Sequence, residues 1–314
     1  MQSFLELSDS QKRQYIDAEA VFSALEQAGT EALAVRGSMF WREQNGRRYL
    51  IRMAAGGGQK SLGADTEENR SIHERFVQRK AAAESRVRSL RAALGEQVRM
   101  NRALRVGRAP VIVVDVLQAL ADAGLSEHFL TVGTHALYAY ETACGVRVES
   151  AATATQDIDL LFNTQKRMSF LTQLQRVDSS LISVLRKADK TFSVRRDQLQ
   201  TVVNDKGFEV DIIRRKARDG DPHPLRMSDD EDDVWAVQVP SGDQLLSSGR
   251  FSQVVVATSG AMARMVTISP VAFARIKRAL GKRPDRDQLK RSKDLLQAQI
   301  VDGLVSQYLP HIQN

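Results

Sequence analysis

The run Thr155-Gln156-Asp157-Ile158-Asp159-Leu160-Leu161 sets the terms on which the rest of the chain is read. Side chains alternate across a strand, so Asp157 and Asp159 project from one face while Ile158 and Leu160 enter a core. Two carboxylates this close repel, and both stay ionised only where a cation or basic group neutralises them, which makes the pair a candidate divalent metal site. Asp-x-Asp alone also describes solvated strand ends and turns, so the flanking sequence decides.

Upstream, Phe129-Leu130-Thr131-Val132 has the pattern of a short buried strand, closed by Gly133-Thr134 and followed by Ala136-Leu137-Tyr138-Ala139-Tyr140-Glu141 with helical character. A strand, a glycine turn and a helix start can cradle phosphate: glycine lets backbone approach a ligand, a hydroxyl beside it can donate, and free N–H groups favour anions. Downstream, Gly207-Phe208-Glu209-Val210-Asp211-Ile212-Ile213 alternates, with Phe208, Val210 and Ile212 on one face and Glu209 and Asp211 on the other. A neighbouring strand would present Asp157 and Asp159 beside Asp211. Three carboxylates from two strands can hold two Mg²⁺ (or Mn²⁺) ions about 3.5 to 4 Å apart, the clamp used for in-line phosphoryl or nucleotidyl displacement.

Together these features resemble the signature of the DNA polymerase beta nucleotidyltransferase superfamily. Within it, Val132-Gly133-Thr134-His135-Ala136-Leu137-Tyr138-Ala139-Tyr140-Glu141 and Ala154-Thr155-Gln156-Asp157-Ile158-Asp159-Leu160-Leu161 are similar to a bacterial nucleotidyltransferase-fold group related to abortive-infection type toxins. Gln59-Lys60-Ser61-Leu62-Gly63 and Asn101-Arg102-Ala103-Leu104-Arg105 extend the likeness towards the N-terminus, although the signature itself covers only about residues 129 to 213. The resemblance implies an α+β fold with a mixed-sheet core. It implies that Gly133 and Thr134 hold the triphosphate of an NTP, that Asp157 and Asp159 bind metal, and that Asp211 is the third ligand and activates the attacking hydroxyl. It further implies a C-terminal lysine offered to the triphosphate, for which Lys277 is the candidate, and an antitoxin protein as partner. The chain departs from the family pattern in having Thr134 where many members have serine, and in the length of residues 135 to 156. The connector Gly145-Val146-Arg147-Val148-Glu149 is expected to lengthen the helix and add a loop at the mouth of the site.

Composition sets outer limits. The 314 residues are 42% hydrophobic, enough for two or three packed units. There is no apolar run of membrane-spanning length, and the first residues lack signal-peptide character, so a cytoplasmic protein with no membrane partner is expected. The single cysteine, Cys144, excludes an internal disulfide and a cysteine zinc site, and its apolar surroundings suit a core residue. The five histidines show no metal-ligand spacing; His135 alone borders the proposed site, either touching a base or phosphate or packing at the helix start. No Walker or Gly-x-Ser-x-Gly sequence is present.

Net charge is +7, and residues 70 to 108 hold eleven Lys or Arg against three Glu. Such clustering is the footprint of a polyanion, RNA foremost. A second basic stretch, 275 to 293, includes Lys277, Arg278, Lys282, Arg283, Arg286, Lys290, Arg291 and Lys293. Pairs one turn apart, Asp287 with Arg291 and Lys290 with Asp294, are expected there.

Pattern breaks divide the chain into three. Residues 1–108 comprise a helix over 9 to 29, a hairpin turning at Asn45-Gly46, a flexible Gly56-Gly57-Gly58 loop, and a long basic helix starting at a capping box Asp65-Thr66-Glu67-Glu68, with a break expected near Gly95. Residues 109–240 form the mixed-sheet nucleotidyltransferase core. Residues 241–314 form a mainly helical unit with Ser269-Pro270 as a helix start. The acidic run Ser228 to Asp233 has the composition of a solvated loop. The function expected is transfer of NMP from an NTP to a hydroxyl of RNA, with a protein or small-molecule acceptor, or a non-catalytic RNA- or nucleotide-binding module, as alternatives.

Overall fold

Strands that alternate carboxylate with apolar residues can carry chemistry on one face and a core on the other. The computed structural model, which describes residues 4–177 and 179–312, sets two such strands side by side in a mixed α+β fold. From the N-terminus come β1 (Leu5–Glu6), α1 (Asp9–Ala34), the antiparallel strands β2 (Ser38–Gln44), β3 (Arg47–Met53) and β4 (Gln59–Ala64), and the long α2 (Glu67–Ala103). Residues 13–104 form one compact unit and the rest of the chain another.

In the first of these units the hairpin turns where Asn45 (φ 52°) and Gly46 (φ 70°) both take left-handed backbone, the conformation that twists two strands into register. The glycine run forms a hydrogen-bonded turn, with Ala54 N–H donating to Gly58 O and Gly57 N–H to Ala54 O. It returns the chain as a third strand, β4, whose Gln-Lys-Ser-Leu-Gly-Ala sequence has little strand propensity and is held by its partner β3. Thr66 caps α2 by accepting from Asn69 N–H, and no Glu completes a reciprocal box because Asn69 occupies that position. The helix runs through Gly95 unbroken, since one glycine weakens a helix by only about 1 kcal/mol. Gln14 ties α1 to α2 by donating to Gln97 and Asn101.

The other unit continues with α3 (Val111–Asp122), β5 (Phe129–Val132), α4 (Ala136–Cys144), β6 (Val146–Arg147), α5 (Ser150–Thr153), β7 (Asp157–Phe162), α6 (Arg167–Arg176) and α7 (Leu181–Leu185). Then follow β8 (Ser193–Val194), β9 (Thr201–Val203), β10 (Glu209–Arg214), β11 (Leu225–Arg226), β12 (Trp235–Gln238), α8 (Gly242–Ser247), the hairpin β13 (Arg250–Val256) and β14 (Met262–Ile268), α9 (Pro270–Gly281) and α10 (Gln288–Tyr308). The sheet order is β11-β12-β10-β7-β5, with β9 also on β10 and β8 on β9. β10 lies parallel to β7 and β12, while β5 is antiparallel to β7.

Alternation divides the core between the two faces of this sheet. Ile158, Leu160, Phe162, Val210 and Ile212 pack with α3, α7 and Phe170 of α6. Leu161 and Ile213 pack on the other side with Leu137 and Tyr140 of α4, Phe273 of α9 and Val301 of α10. Each large apolar side chain so buried contributes about 1.5–3 kcal/mol. Asp157, Asp159 and Asp211 are in phase with Leu161 and Ile213, so they lie on the face covered by α9 and α10.

Three local expectations are corrected. The helix after Gly133 does not extend past Cys144: Gly145, at φ 64°, caps it, and the connector becomes β6 and α5. The acidic run is not wholly solvated, because Asp233 is buried and accepts from the N–H groups of Leu181 and Ile182 at the start of α7. The one-turn ion pairs are absent among the described residues. Asp287 caps α10 by accepting from Lys290 N–H, and Asp294 turns inward.

Candidate active site

Parallel register sets Asp211 of β10 directly beside Asp159 of β7, with Glu209 beside Asp157, while antiparallel β5 brings Val132 opposite Asp159. Ligand atoms of Asp157, Asp159 and Asp211 lie within 4.8 Å of one another. Burial pushes Asp159 up to about 7, with the neighbouring Asp157 and Asp211 charges adding to the shift and Lys277 and Arg286 opposing it. Burial likewise raises Asp211, against a hydrogen bond that favours its ionised form: Thr201 Oγ1 donates to Asp211 Oδ1 at 2.5 Å. Thr155 Oγ1 donates to Asp157 in the same way. The arrangement is three oxygen donors pressed together, and a hard divalent cation suits such a set.

Gly133 forms the turn against this cluster. Its φ is 69°, and a Cβ there would run into Asp159 Oδ2, so both backbone conformation and space demand glycine. Thr134 is fastened to α10, its Oγ1 accepting from Gln297 Nε2 at 3.1 Å while Gln297 also donates to Ala152 O. The Thr134 hydroxyl proton is left to donate elsewhere. His135 is buried with its ring stacked on Tyr138, and burial pulls it down to about 4, with Asp157, through its charge and its backbone, opposing the shift. Burial pushes the Cys144 thiol up to about 12, which excludes a thiolate nucleophile at neutral pH.

A pocket of about 140 Å³ opens beside Gly133 and Asp159. Lys277 and Arg286 line its polar end, and Ile213, Leu245, Phe273 and Ile276 its apolar part. Both cations are tied to one carboxylate: Lys277 Nζ lies 2.9 Å from Asp294 Oδ1, and Arg286 Nε 2.5 Å from Oδ2. Asp294 is only 2% exposed. Lys293 donates to Ala154 O at 2.6 Å, and burial, then the nearby Lys277, lower its proton affinity. The structure thus gathers Asp157, Asp159, Asp211, Gly133, Thr134 and Lys277 around one region.

Arg286, Lys293, Asp294 and Gln297 escape sequence reasoning as site residues. Their signal lies in phase: Asp294 and Gln297 share the stripe of α10 with Val301 and Leu304, so two polar residues fall where apolar ones belong. Thr201 sits on a strand of three residues, too short for its facing partner to be deduced.

A model of the nucleotidyltransferase family matches residues 112–313, a span holding every residue of the cluster, the turn and the pocket. No curated protein and no solved structure matches the chain. Among the described residues, no helix is long and apolar enough to cross a membrane.

Proposed function

The chain belongs to the nucleotidyltransferase family, and on that premise we propose that it moves NMP from an NTP onto a hydroxyl of RNA, the end of a tRNA being one candidate, with release of pyrophosphate. The observation that carries this is the convergence of Asp157, Asp159 and Asp211 against the Gly133 turn. These carboxylates would hold Mg²⁺ or Mn²⁺. Such ions, when bound, stabilise charge on the phosphoryl oxygens and lower the pKa of the attacking hydroxyl.

The chain's own groups do the rest. Backbone at Gly133 and the Thr134 hydroxyl cradle phosphate, and Lys277 with Arg286 supplies positive charge beside Asp159. Asp211 accepts the acceptor hydroxyl's proton as its oxygen bonds to the α-phosphorus and the bond to pyrophosphate breaks. Its burial supports that role, because raised proton affinity makes a carboxylate a better base.

RNA as acceptor is supported by charge. Residues 13–104 hold sixteen Lys or Arg against eleven Asp or Glu, most of the whole chain's surplus. The stretch 275–293 supports it less, since Lys277 and Arg286 face Asp294, Arg278 faces Asp302 and Arg283 faces Asp285. The resemblance to abortive-infection type proteins supports a toxin or phage-defence role in the cytoplasm, restrained by an antitoxin.

The test is transfer of label from each α-labelled NTP, with Mg²⁺ or Mn²⁺, onto total RNA and whole-cell protein, comparing wild type with Asp157→Ala/Asp159→Ala. Label on RNA that vanishes in the variant is the expected result. Label on protein alone would replace the acceptor. No label with folded, NTP-binding protein would leave a small-molecule acceptor or a non-catalytic module.

A further inference from the structure

The three-stranded sheet of residues 38–64 has one face covered and one face open. On the covered face Leu50 is buried, Trp41 lies 5.9 Å from His73, and Arg52 sits 4.5 Å over the Phe76 ring, so this face packs on α2. Strand alternation puts Phe40, Arg42 and Gln44 of β2, Arg47, Tyr49 and Ile51 of β3, and Gln59 and Ser61 of β4 on the opposite face. Arg42, Gln44, Arg47, Gln59 and Ser61 are exposed, Phe40 and Tyr49 are half-buried, and Ile51 alone of this set is buried. No carboxylate stands on this face. Glu43, the one acidic residue within the three strands, falls on the covered side opposite Arg48.

From this composition we infer that the open sheet face is a docking surface for a polynucleotide strand. Charge and donor geometry select that occupant. Arg42 extends across the sheet, its Nη2 donating to Gln59 Oε1 at 2.5 Å and its guanidinium carbon 5.7 Å from the Phe40 ring centre, with no ion pair to it among the described residues. Arg47 stands beside the hairpin tip with no ion pair among the described residues, in cross-strand register with Gln44. Arginines bind phosphate, side-chain amides and hydroxyls pair with base edges and sugars, and half-exposed aromatic rings stack bases. An acidic peptide would answer the arginines but leave the amides and rings without a role. The face belongs to the unit of residues 13–104 and the carboxylate cluster to the other unit, and binding at the face needs neither NTP nor metal.

The full-length protein is titrated, without nucleotide or divalent ion, into fluorescein-labelled structured RNA, single-stranded DNA and duplex DNA at several salt concentrations. Wild type is compared with Arg42→Glu/Arg47→Glu and with Lys187→Glu/Lys190→Glu, an exposed pair elsewhere given the same change in net charge. The sheet variant is expected to bind at least about 30-fold more weakly, with the salt slope reduced by about one to two, as loss of two phosphate contacts requires. The control is expected to change less than about threefold, in line with surface charge that does not contact the strand. A preference for RNA over both DNAs assigns the strand to RNA; equal binding assigns the face to phosphodiester backbone of either sugar. Circular dichroism and thermal melts establish that the variants are folded. Failure of wild type to bind any strand, or an equal loss in both variants, overturns the inference. Because transfer activity is not read, the outcome stands apart from that of the label assay.

Discussion

Two groups of carboxylates in the same unit, one buried and one half-buried, are neutralised in opposite ways. Asp294 has two protein cations, Lys277 and Arg286, one on each oxygen. Asp157, Asp159 and Asp211 crowd within 4.8 Å, with hydroxyls of Thr155 and Thr201 as donors and with Lys277 and Arg286 acting on Asp159 only from a distance. A carboxylate answered from within can be a fixed support. A trio left with its mutual repulsion is arranged for a cation from solution.

The sharpest break of that contrast is Asp157→Ala/Asp159→Ala. Removing two of three donors from a metal clamp is expected to lower transfer at least about 10³-fold. Removing like charges should also leave the metal-free protein as stable as wild type or more so. A thermal melt in chelator, read beside the label assay, checks both. A variant that melts well below wild type without metal would show that these carboxylates hold the fold together as Asp294 does.

Asp294→Ala should do the opposite. It strands two cations, and breaking a buried pair by removing one partner costs about 3–5 kcal/mol. The expected result is a lower melting temperature with or without metal, and a KM for NTP raised more than kcat is lowered, since Lys277 and Arg286 lose their anchor. If the KM is unchanged in protein still folded at the assay temperature, Asp294 supports the helices but not the pocket.

Proton linkage offers a finer comparison. Asp159 is raised to about 7 in the folded protein, above its unfolded range. Its contribution to stability is therefore full below about pH 4, where both states are protonated, and is lost as pH rises to about 7. The loss is at most about 4 kcal/mol, from three pKa units. Denaturant unfolding of the metal-free protein between pH 4 and 8 should show this decline, and Asp159→Asn should flatten it. Saturating Mg²⁺ or Mn²⁺ should flatten it as well, because a bound cation favours the ionised form. An unchanged slope in Asp159→Asn would assign the decline to other groups.

How far the sequence reaches differs between these groups for a physical reason. The carboxylate trio was legible because strand alternation is local: Asp157 and Asp159 share a face by spacing alone, and the alternation around Asp211 repeats it. Gly133 was legible because a left-handed turn demands glycine. Asp294 was not, because its partners Lys277 and Arg286 meet it only through tertiary packing, and its spacing suggested a one-turn surface pair with Lys290 instead. The strand β4 was hidden because tertiary pairing, not propensity, holds Gln59 to Ala64 extended. The Thr201 hydroxyl met Asp211 only through a three-residue strand whose register depends on the turn at 204–208 that follows it.

Thr201 also gives the smallest test. It is buried, and its Oγ1 is the one side-chain donor to Asp211 among the described residues. Thr201→Val keeps the shape and removes the donor, at a cost of about 1–3 kcal/mol for the oxygen left unsatisfied. With that bond gone, burial raises Asp211 further, so protons compete with the cation more strongly. The variant should therefore need more Mg²⁺ or Mn²⁺ for half-maximal transfer, with the deficit larger at pH 6 than at pH 8, and Thr201→Ser should restore the wild-type requirement. A deficit in kcat that ignores both pH and metal concentration would mean that Thr201 only packs, and that the trio is oriented by its strands alone.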